Sequence, residues 1–345
     1  MTTHILAAGD HFVLNRLFIE ALEGEADLSF TTLTLPWPLV PFGQVGEVHE
    51  ASGTEDELIE ALQGVEICLT QMAPLTERIL AAAEDLRLFC ISRGGPVNAN
   101  LEAATRRGVG VCFAPGRNAE ATAEHSLALM LAAMRRVPEA HVDLLQGTWR
   151  SDYYSYDNVG PELLGSTVGL VGGGAVGGRL ARMLAALGAD VVVYDPYLQA
   201  EALAGVATQV ELTELLSRSN IVSLHARATA ATHGLIGAAE LAAMPSGSVL
   251  VNCARGTLLD YSALCDALDA GHLFGAAVDV FPEEPIPLES RLLRTPHLVM
   301  TPHLGGASKQ TAVNAARIVA VDVRNYLRGQ PLAYCANPEA LGHPH

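Results

Sequence analysis

The feature that most constrains this chain is a strand, a glycine-rich turn and a helix in direct succession. An apolar run at 167–171 leads into a G-x-G-x-x-G pattern at 172–177, and a helical pattern follows over 179–187. A second apolar run at 190–194 ends in an aspartate, Asp195. This order predicts a β-α-β unit, in which a helix joins two parallel strands of one sheet.

Each glycine of this turn has its own physical task. Gly172 permits a tight turn out of the strand, Gly174 lets the backbone approach a pyrophosphate, and Gly177 lets the helix pack close to the strand. The N–H groups at the start of the helix, near Ala175 and Val176, and the positive end of its dipole attract phosphates. The pattern therefore predicts a dinucleotide site of the Rossmann type, with a purely structural turn as the alternative.

Asp195 selects between cofactors. It lies eighteen residues after Gly177 in the chain, near the position where a carboxylate accepts the ribose hydroxyls of NAD. A carboxylate there repels the 2′-phosphate of NADP, and the next residues, 196–198, include no arginine or lysine. NAD is therefore favoured over NADP. The alternative is an ordinary aspartate that caps the turn after a strand.

Length and charge exclude several function classes. A chain of 345 residues is long enough for about two domains. Its formal net charge is −17, and Lys309 is its only lysine, so no basic face for nucleic acid is expected. An anionic membrane surface is an equally poor partner, and no apolar run reaches the ~18 residues of a membrane span.

The cysteines indicate a reducing compartment. None of the six forms a C-x-x-C pair, and most lie in apolar runs, where a thiol behaves as a small hydrophobic group. The histidines show no ligand spacing with them, so no metal site is expected. The first residues follow a strand pattern rather than a signal-peptide pattern, and we expect a cytoplasmic protein.

Strand-like and helix-like runs alternate almost throughout the chain, as in parallel sheets with helices on both faces. A long helical pattern at 119–134 connects two such α/β units, and a helix predicted at 312–327 returns the chain to the first unit. A ligand is expected in the cleft between them. The strands are predicted at 5–8, 67–69, 88–91, 109–112, 167–171, 190–194, 221–225, 248–252, 276–280 and 298–301.

Three polar residues follow strands of the second unit, at the sheet edge that faces the ligand crevice. Arg255 suits a carboxylate partner, His303 suits proton exchange near neutral pH, and a carboxylate such as Glu284 orients an imidazole and favours its charged form. Each alone also fits an ordinary loop residue. Together they suggest hydride transfer to or from a carbonyl carbon, with the hydride carried by the cofactor.

Taken together, these motifs resemble the D-isomer-specific 2-hydroxyacid dehydrogenase family, which includes phosphoglycerate dehydrogenases and glyoxylate or hydroxypyruvate reductases. The similarity covers roughly residues 60–330 in the family's order. The matching segments lie at 118–120, 123–125, 172–177, 223–225, 252–256, 275–285 and 301–306.

The resemblance implies roles for individual residues. His303 corresponds to the family's general acid and base, Glu284 to the carboxylate that assists it, and Arg255 to the residue that binds the substrate carboxylate and carbonyl. Asp279 corresponds to the residue that hydrogen-bonds the nicotinamide carboxamide. The residues implied in cofactor binding are Gly172, Gly174, Ala175, Val176, Gly177, Asp195, His225, Cys253, Ala254 and Asp279.

The resemblance also implies an architecture of two doubly wound parallel-sheet α/β domains. The Rossmann NAD-binding domain is expected at 118–318, and a flavodoxin-like substrate domain at 1–117 and 319–345, with the active site in the cleft between the two. Family members are commonly homodimers, so a second copy of this chain is the expected partner. The helix at 119–134 and the tyrosine-rich stretch at 147–161 are candidates for that interface.

The substrate loop departs from the family pattern. We expect the backbone N–H groups of Arg93, Gly94 and Gly95 to help hold the substrate carboxylate. The side chain of Arg93 either adds a charge for a second anionic group or faces solvent. The segment 70–74 carries no cation, which weakens the case for a phosphorylated substrate, and Arg227, where the family often has proline, has no assigned role.

The leading hypothesis is an NAD-dependent oxidoreductase that acts on a small D-2-hydroxy acid and its 2-keto acid. An NADH-sensing, corepressor-like binding protein is the alternative, because corepressors share this fold and these catalytic residues. Formate oxidation on the same scaffold ranks lower, since relatives of that kind pair the histidine with glutamine whereas this chain has Glu284.

Overall fold

The computed structural model describes residues 2–37, 43–199 and 201–342. The chain forms two compact units, the first made of 1–118 with 307–345 and the second of 119–306. The strands are β1 (Thr3–Gly9), β2 (Leu28–Thr34), β3 (Ile67–Thr70), β4 (Leu88–Ile91), β5 (Gly110–Phe113), β6 (Thr167–Val171), β7 (Asp190–Tyr194), β8 (Thr208–Gln209), β9 (Ile221–Leu224), β10 (Ser248–Asn252), β11 (Leu273–Val278) and β12 (Leu298–Met300). The helices are α1 (Asn15–Ala21), α2 (Glu55–Ala61), α3 (Glu77–Ala82), α4 (Leu101–Arg106), α5 (Ala119–Met134), α6 (Val137–Leu145), α7 (Gly177–Ala186), α8 (Leu212–Arg218), α9 (Ala238–Ala243), α10 (Tyr261–Asp269) and α11 (Lys309–Leu327).

The first unit contains a five-stranded parallel sheet with the strand order β2-β1-β3-β4-β5. The chain runs outward from β1 to β2 and then returns past β1 to β3, so the winding direction reverses between β1 and β3. This is the predicted flavodoxin-like order. Strands β3 and β4 are buried along their whole length, which explains why they read as continuous apolar runs.

Two apolar cores cover the faces of this first sheet. Leu6 and Phe89 pack with α2, α3 and α4 on one face, whereas their neighbours Ile5 and Leu88 pack with α1 and α11 on the other. The alternation follows from the two-residue period of a strand. Helices therefore cover both faces of the sheet. Because its strands are all parallel, their carboxyl ends lie at one edge.

The second unit contains a seven-stranded parallel sheet with the order β12-β11-β10-β9-β6-β7-β8. Strands β6 and β7 pair in parallel and are joined by α7, which is the β-α-β unit predicted from the glycine-rich turn. The winding direction reverses between β6 and β9, so this sheet is also doubly wound. The predicted fold class, two parallel-sheet α/β units, is confirmed.

The second boundary between the two units lies at a different residue from the predicted one. The chain returns to the first unit after residue 306, twelve residues before the predicted boundary at 318. The physical reason is that α11 packs as a whole with the first unit. Ala312, Ala316 and Val319 of this helix are buried in one core with Phe18 of α1.

Some elements lie outside the predicted set, and two of them, β2 and α6, bury no regular apolar stripe. Strand β2, at the edge of its sheet, leaves every second residue or more exposed, and α6 contains no buried residue. Helices α8, α9 and α10 are likewise additional to the prediction. Within the described ranges, no helix combines the length and the apolar composition that crossing a bilayer requires.

We expect Ala316→Glu to destabilise the first unit by several kcal/mol, because it places an unpaired charge in the core beneath α11. Val321→Glu on the same helix is the matched control, since Val321 is exposed, and it should change stability by about 0.5 kcal/mol or less. Urea unfolding of both variants gives the comparison. Equal effects of the two substitutions would contradict the packing of α11 on the first unit.

Candidate active site

The glycine-rich turn packs backbone against backbone. Gly172 adopts φ 106°, and a Cβ at this position would lie 2.7 Å from the backbone of His225 and Ala226. A Cβ on Gly177 would lie 2.0 Å from the carbonyl oxygen of Gly172. No side chain fits at either position, so the tight turn and the close start of α7 follow from these two glycines.

The third glycine faces open space. A Cβ on Gly174 would meet no atom within 4 Å. Beside it, α7 begins after Val176 without a side-chain cap. The N–H groups of Gly178 and Arg179 donate to the carbonyl oxygens of Gly174 and Val176, whereas those of Ala175, Val176 and Gly177 donate to no backbone acceptor among the described residues. A backbone left open next to uncapped helical N–H groups has the form of a phosphate site, as predicted for Gly174, Ala175 and Val176.

Asp195 links this turn to the end of β7. Its Oδ2 accepts a hydrogen bond from the N–H of Gly173 at 2.9 Å, and its Oδ1 accepts from the N–H of Tyr197 at 2.9 Å. The carboxylate thus does cap the following turn, which was the alternative interpretation. Each carboxylate oxygen can accept a second hydrogen bond, so the ribose role stays a prediction that this geometry permits.

Two of the predicted catalytic residues are joined directly. Nδ1 of His303 lies 2.8 Å from Oε2 of Glu284, and Oε1 of Glu284 accepts the N–H of Phe281 at 3.0 Å. The Glu284 carboxylate is therefore fixed through both oxygens. Because it accepts from Nδ1, the other ring nitrogen of His303, Nε2, is left to exchange a proton. The His303 side chain is 48% exposed, so a small molecule can reach it.

The backbone of His303 is held in an unusual conformation. Its φ is 54°, in the left-handed region that non-glycine residues rarely adopt. Its N–H donates to the carbonyl oxygens of Asp279 and Thr301, both at 2.9 Å. Such conformations persist only where the surroundings fix them, and they concentrate at functional sites.

Asp279 fixes the turn that carries His303. This carboxylate is 1% exposed, and it accepts the Thr301 hydroxyl at 2.6 Å and the N–H groups of Leu304 and Gly305 at 2.7 Å each. His125 approaches it through Nε2, at 3.3 Å. Burial by itself raises the pKa of Asp279, but these hydrogen bonds outweigh burial and lower it.

The Asp279 carboxylate is thus ionised and already bonded to donors of its own chain. Its predicted contact with the nicotinamide carboxamide stays a prediction. His125 also lies 3.0 Å from the Thr301 hydroxyl, so α5 contributes a third element to this turn. His125 lies in a segment that matches the family pattern, but nothing local in the sequence links it to a residue 176 positions later.

Arg255 extends from a loop that is held by Asn252. The Asn252 side chain accepts the N–H of Ala254 at 3.0 Å and donates to the carbonyl oxygen of Arg255 at 3.0 Å. A Cβ on the next residue, Gly256, would lie 2.0 Å from the carbonyl oxygen of Phe281, so this loop packs directly on the loop that leads to Glu284.

The Arg255 guanidinium is exposed, and its Nη1 donates to the carbonyl oxygen of Ala254 at 2.7 Å. Within the described part of the chain it forms no ion pair with a carboxylate. A charged arginine without an anionic partner is available to bind an anion such as a substrate carboxylate. Asn252, which positions its loop, was not singled out from the sequence.

Two further predicted cofactor residues are electrically neutral, and of these Cys253 is buried and His225 is half-buried. The ring of His225 bonds the Ser223 hydroxyl at 2.8 Å, and burial lowers the pKa of His225 to about 4. Burial raises the pKa of Cys253 to about 12, so it remains a thiol rather than a nucleophile. His225 flanks the glycine-rich turn, where its backbone would lie 2.7 Å from a Cβ on Gly172, whereas Cys253 follows β10.

The predicted substrate loop lies in the first unit. Arg93 donates to the Glu50 carbonyl oxygen at 3.0 Å and pairs with the Glu50 carboxylate, and its side chain is only 17% exposed. Its charge is therefore neither directed to solvent nor free for a second anion. A Cβ on Gly94 or Gly95 would meet no atom within 4 Å, so the backbone of this loop is open.

The chain is similar in sequence and in structure to proteins of one known enzyme family. The family model of the D-isomer specific 2-hydroxyacid dehydrogenase NAD-binding domain matches residues 127–305, which are just over half of the chain and lie within the second unit. D-3-phosphoglycerate dehydrogenase of Mycobacterium tuberculosis is 38% identical over 298 residues, covering 86% of this chain and 56% of that protein. The enzyme of the same name from Methanocaldococcus jannaschii is 34% identical over 291 residues, covering 83% and 55% respectively.

The chain thus spans about half the length of the curated relatives that it matches. Solved structures match it over nearly their whole length. A protein of Thermus thermophilus has 30% identity and a TM-score of 0.77, with 97% of this chain and 100% of that chain covered. A D-lactate dehydrogenase of Treponema pallidum has 25% identity and a TM-score of 0.81, with 97% and 99% covered.

We expect two glycine substitutions to separate folding from cofactor binding. Gly177→Ala should destabilise the chain by about 1–3 kcal/mol, because its Cβ would overlap the Gly172 carbonyl oxygen. Gly174→Ala should leave stability nearly unchanged but weaken NADH binding, because the methyl group occupies the space beside the helix start. Urea unfolding and NADH fluorescence titration measure both effects. A Gly174→Ala variant that binds NADH like the wild type would refute the assigned phosphate site.

Proposed function

The chain belongs to the D-isomer-specific 2-hydroxyacid dehydrogenase family, and from this we propose that it interconverts a small D-2-hydroxy acid and its 2-keto acid with NAD. The observation that carries the proposal is the His303–Glu284 pair, with its Nδ1–Oε2 distance of 2.8 Å and the free Nε2 of the imidazole. A proton donor held by a carboxylate is what the reduction of a carbonyl group requires.

The residues of the second unit fit NAD. The open backbone at Gly174 and the uncapped start of α7 suit the pyrophosphate, and Asp195 at the end of β7 suits the ribose hydroxyls. When bound, NADH supplies the hydride for the carbonyl carbon. A carboxylate at position 195 disfavours the 2′-phosphate of NADP.

His303 supplies the proton. In the direction of reduction, its Nε2 donates a proton to the carbonyl oxygen of the substrate, and in oxidation the same atom accepts the hydroxyl proton. Glu284 accepts from Nδ1 throughout, so it keeps the ring in one orientation. Asp279 fixes the turn that carries His303, and this turn fixes the position of the His303 Nε2. Precise placement of reacting groups accounts for a large share of catalysis.

Arg255 orients the substrate. Its exposed guanidinium binds the substrate carboxylate and polarises the adjacent carbonyl group, a task that suits the planar guanidinium better than a lysine. The open backbone at Gly94 and Gly95 supports a role for their N–H groups in holding a substrate carboxylate. The side chain of Arg93 positions this loop through Glu50 and does not add a charge for a second anion.

We expect the chain to oxidise NADH in the presence of at least one 2-keto acid, which the loss of NADH absorbance measures. His303→Ala and Arg255→Ala should each lower kcat/KM by about 100-fold or more, while NADH titration shows unchanged binding. Arg294→Ala, which removes an exposed arginine elsewhere in the same unit, is the control.

Two outcomes would count against the proposal. Wild-type turnover in His303→Ala would refute the acid–base role. No turnover with any 2-keto acid, while NADH still binds tightly, would contradict the proposed reaction and favour the NADH-sensing alternative.

We also propose that the chain forms a homodimer. An apolar patch on α6 and the segment after it supports this, because monomeric proteins rarely expose so many large apolar side chains together. Three of its aromatic residues are almost fully exposed, with Trp149 at 85%, Tyr156 at 90% and Tyr154 at 93%. The other members of the patch are Val137, Val142, Leu144, Leu145 and Val159.

We expect the combined substitutions Leu145→Glu and Trp149→Glu to convert the dimer to a monomer, because two copies would each place charges in an apolar contact. Sedimentation velocity of the wild type and the variant measures this. Leu288→Glu is the matched control, since Leu288 is as exposed as Trp149 but lies outside the patch. A wild type that sediments as a monomer at micromolar concentration would overturn the proposal.

We also propose a cytoplasmic location, which the state of the thiols supports. All six cysteines are free, and all but Cys335 are buried. Free thiols are typical of reducing compartments, because oxidising compartments favour disulfides. We therefore propose that the chain works in a reducing compartment.

A further inference from the structure

Buried polar atoms collect at one edge of the sheet of the first unit. Asp10 follows β1, Gln71 follows β3 and Ser92 follows β4, while Arg117 lies in the turn after β5. One side-chain atom of each, together with Oδ1 of Asn98, is buried and has no hydrogen-bond partner among the residues that the structure describes. Since parallel strands all end at the same edge, these atoms line the carboxyl edge, where doubly wound sheets bind ligands.

Unpaired polar atoms in such a place need a physical explanation. Buried polar groups in folded proteins are nearly always hydrogen-bonded, because an unpaired one has lost its bonds to water without gaining a partner. In the part of the chain that the structure describes, only seven buried side-chain atoms lack a partner, and five of them are those at this edge. The concentration indicates that these groups are arranged for a ligand.

Arg117 carries a positive charge that no ion pair neutralises among the described residues of this edge. Its guanidinium carbon lies 5.9 Å from the centroid of the Phe12 ring, which covers one side of it. Burial lowers the pKa of Arg117 to about 10, and the charge of Arg93 adds to that lowering while Asp10 opposes it. Arg117 therefore stays charged at neutral pH. Arg93, by contrast, is paired with Glu50.

Asp10 faces the same region from β1. Its Oδ1 accepts the N–H groups of Phe12 and Val13 at 2.7 and 2.8 Å, while its Oδ2 is the unpaired atom. Burial raises its pKa, and the two N–H groups and Arg117 act in the opposite direction. Asp10 and Arg117 therefore lie close enough for each to shift the pKa of the other, and each has one side-chain atom without a hydrogen-bond partner.

The unpaired atoms at this edge include both hydrogen-bond donors and acceptors, which favours a ligand that can both donate and accept. The unpaired atoms of Asp10, Gln71 and Asn98 are acceptors, that of Arg117 is a donor, and the Ser92 hydroxyl is either. A phosphate dianion offers only acceptors and would meet the repulsion of Asp10. Hydroxyl groups both donate and accept, so they satisfy this mixture.

We propose that Arg117 and Asp10 form a specificity site for hydroxyl groups on the tail of the substrate, so that the preferred 2-keto acids carry hydroxyl groups beyond the keto carbon. The inference rests on the proposed function, and it names the substrate class within it. It also separates this chain from the phosphoglycerate dehydrogenases that it resembles, because the site selects a hydroxyl rather than a phosphate.

The experiment compares kcat/KM for matched pairs of substrates in NADH-dependent reduction: hydroxypyruvate with pyruvate, and 4-hydroxy-2-ketobutyrate with 2-ketobutyrate. Phosphohydroxypyruvate is the phosphorylated comparison. The wild type should prefer each hydroxylated member by about tenfold or more, because the analogue without the hydroxyl leaves buried groups unpaired. It should use phosphohydroxypyruvate less well than hydroxypyruvate.

Arg117→Met and Asp10→Asn should each reduce this preference ratio towards one, whereas Arg107→Gln, at an exposed arginine of the same unit, should leave it unchanged. A ratio is insensitive to the amount of folded enzyme, so a merely structural effect would lower both rates and keep the ratio. Turnover of all substrates without a hydroxyl preference, or an unchanged ratio in both variants, would overturn the inference. Failure to reduce any 2-keto acid would instead contradict the proposed function itself.

Discussion

The buried carboxylate of Asp279 is the constraint on which the candidate active site depends. Placing a carboxylate at the end of β11 with 1% exposure is costly unless it is fully hydrogen-bonded. Here a hydroxyl and two backbone N–H groups, all from the turn at 301–305, satisfy it at 2.6–2.7 Å. The same bonds hold His303 at φ 54°, so the hydrogen bonds that satisfy the buried charge also place the proposed general acid and base.

A second constraint is the close contact of loop backbones at the edge of the second sheet. Gly172 lies against His225, and Gly256 lies against Phe281, with no room for a side chain at either glycine. The first contact fixes the glycine-rich turn against the end of β9, and the second fixes the loop of Arg255 against the loop that leads to Glu284. Because backbone contacts and the buried side chains of Asn252 and Asp279 anchor these loops, the candidate catalytic groups are held in place before a substrate binds.

The sequence predicts those parts of the molecule whose signals are local. The parallel sheets follow from alternating runs, and Glu284 and His303 stand out because each follows a strand within a short motif. What it cannot predict depends on contacts between distant segments: His125 reaches a hydroxyl 176 positions away, and Arg93 pairs with a residue 43 positions earlier. Elements such as α6, which buries no residue, leave no periodic apolar pattern to detect.

The central claim of this account is that the chain transfers a hydride from NADH to the keto carbon of a 2-keto acid while His303 protonates the oxygen. Reduction with NADH that carries deuterium at the transferable position of the nicotinamide tests it most directly, with the product analysed by mass spectrometry and chiral chromatography. The account predicts one deuterium at C2 of a 2-hydroxy acid of D configuration. Product without deuterium at that carbon, or product of L configuration, would contradict it.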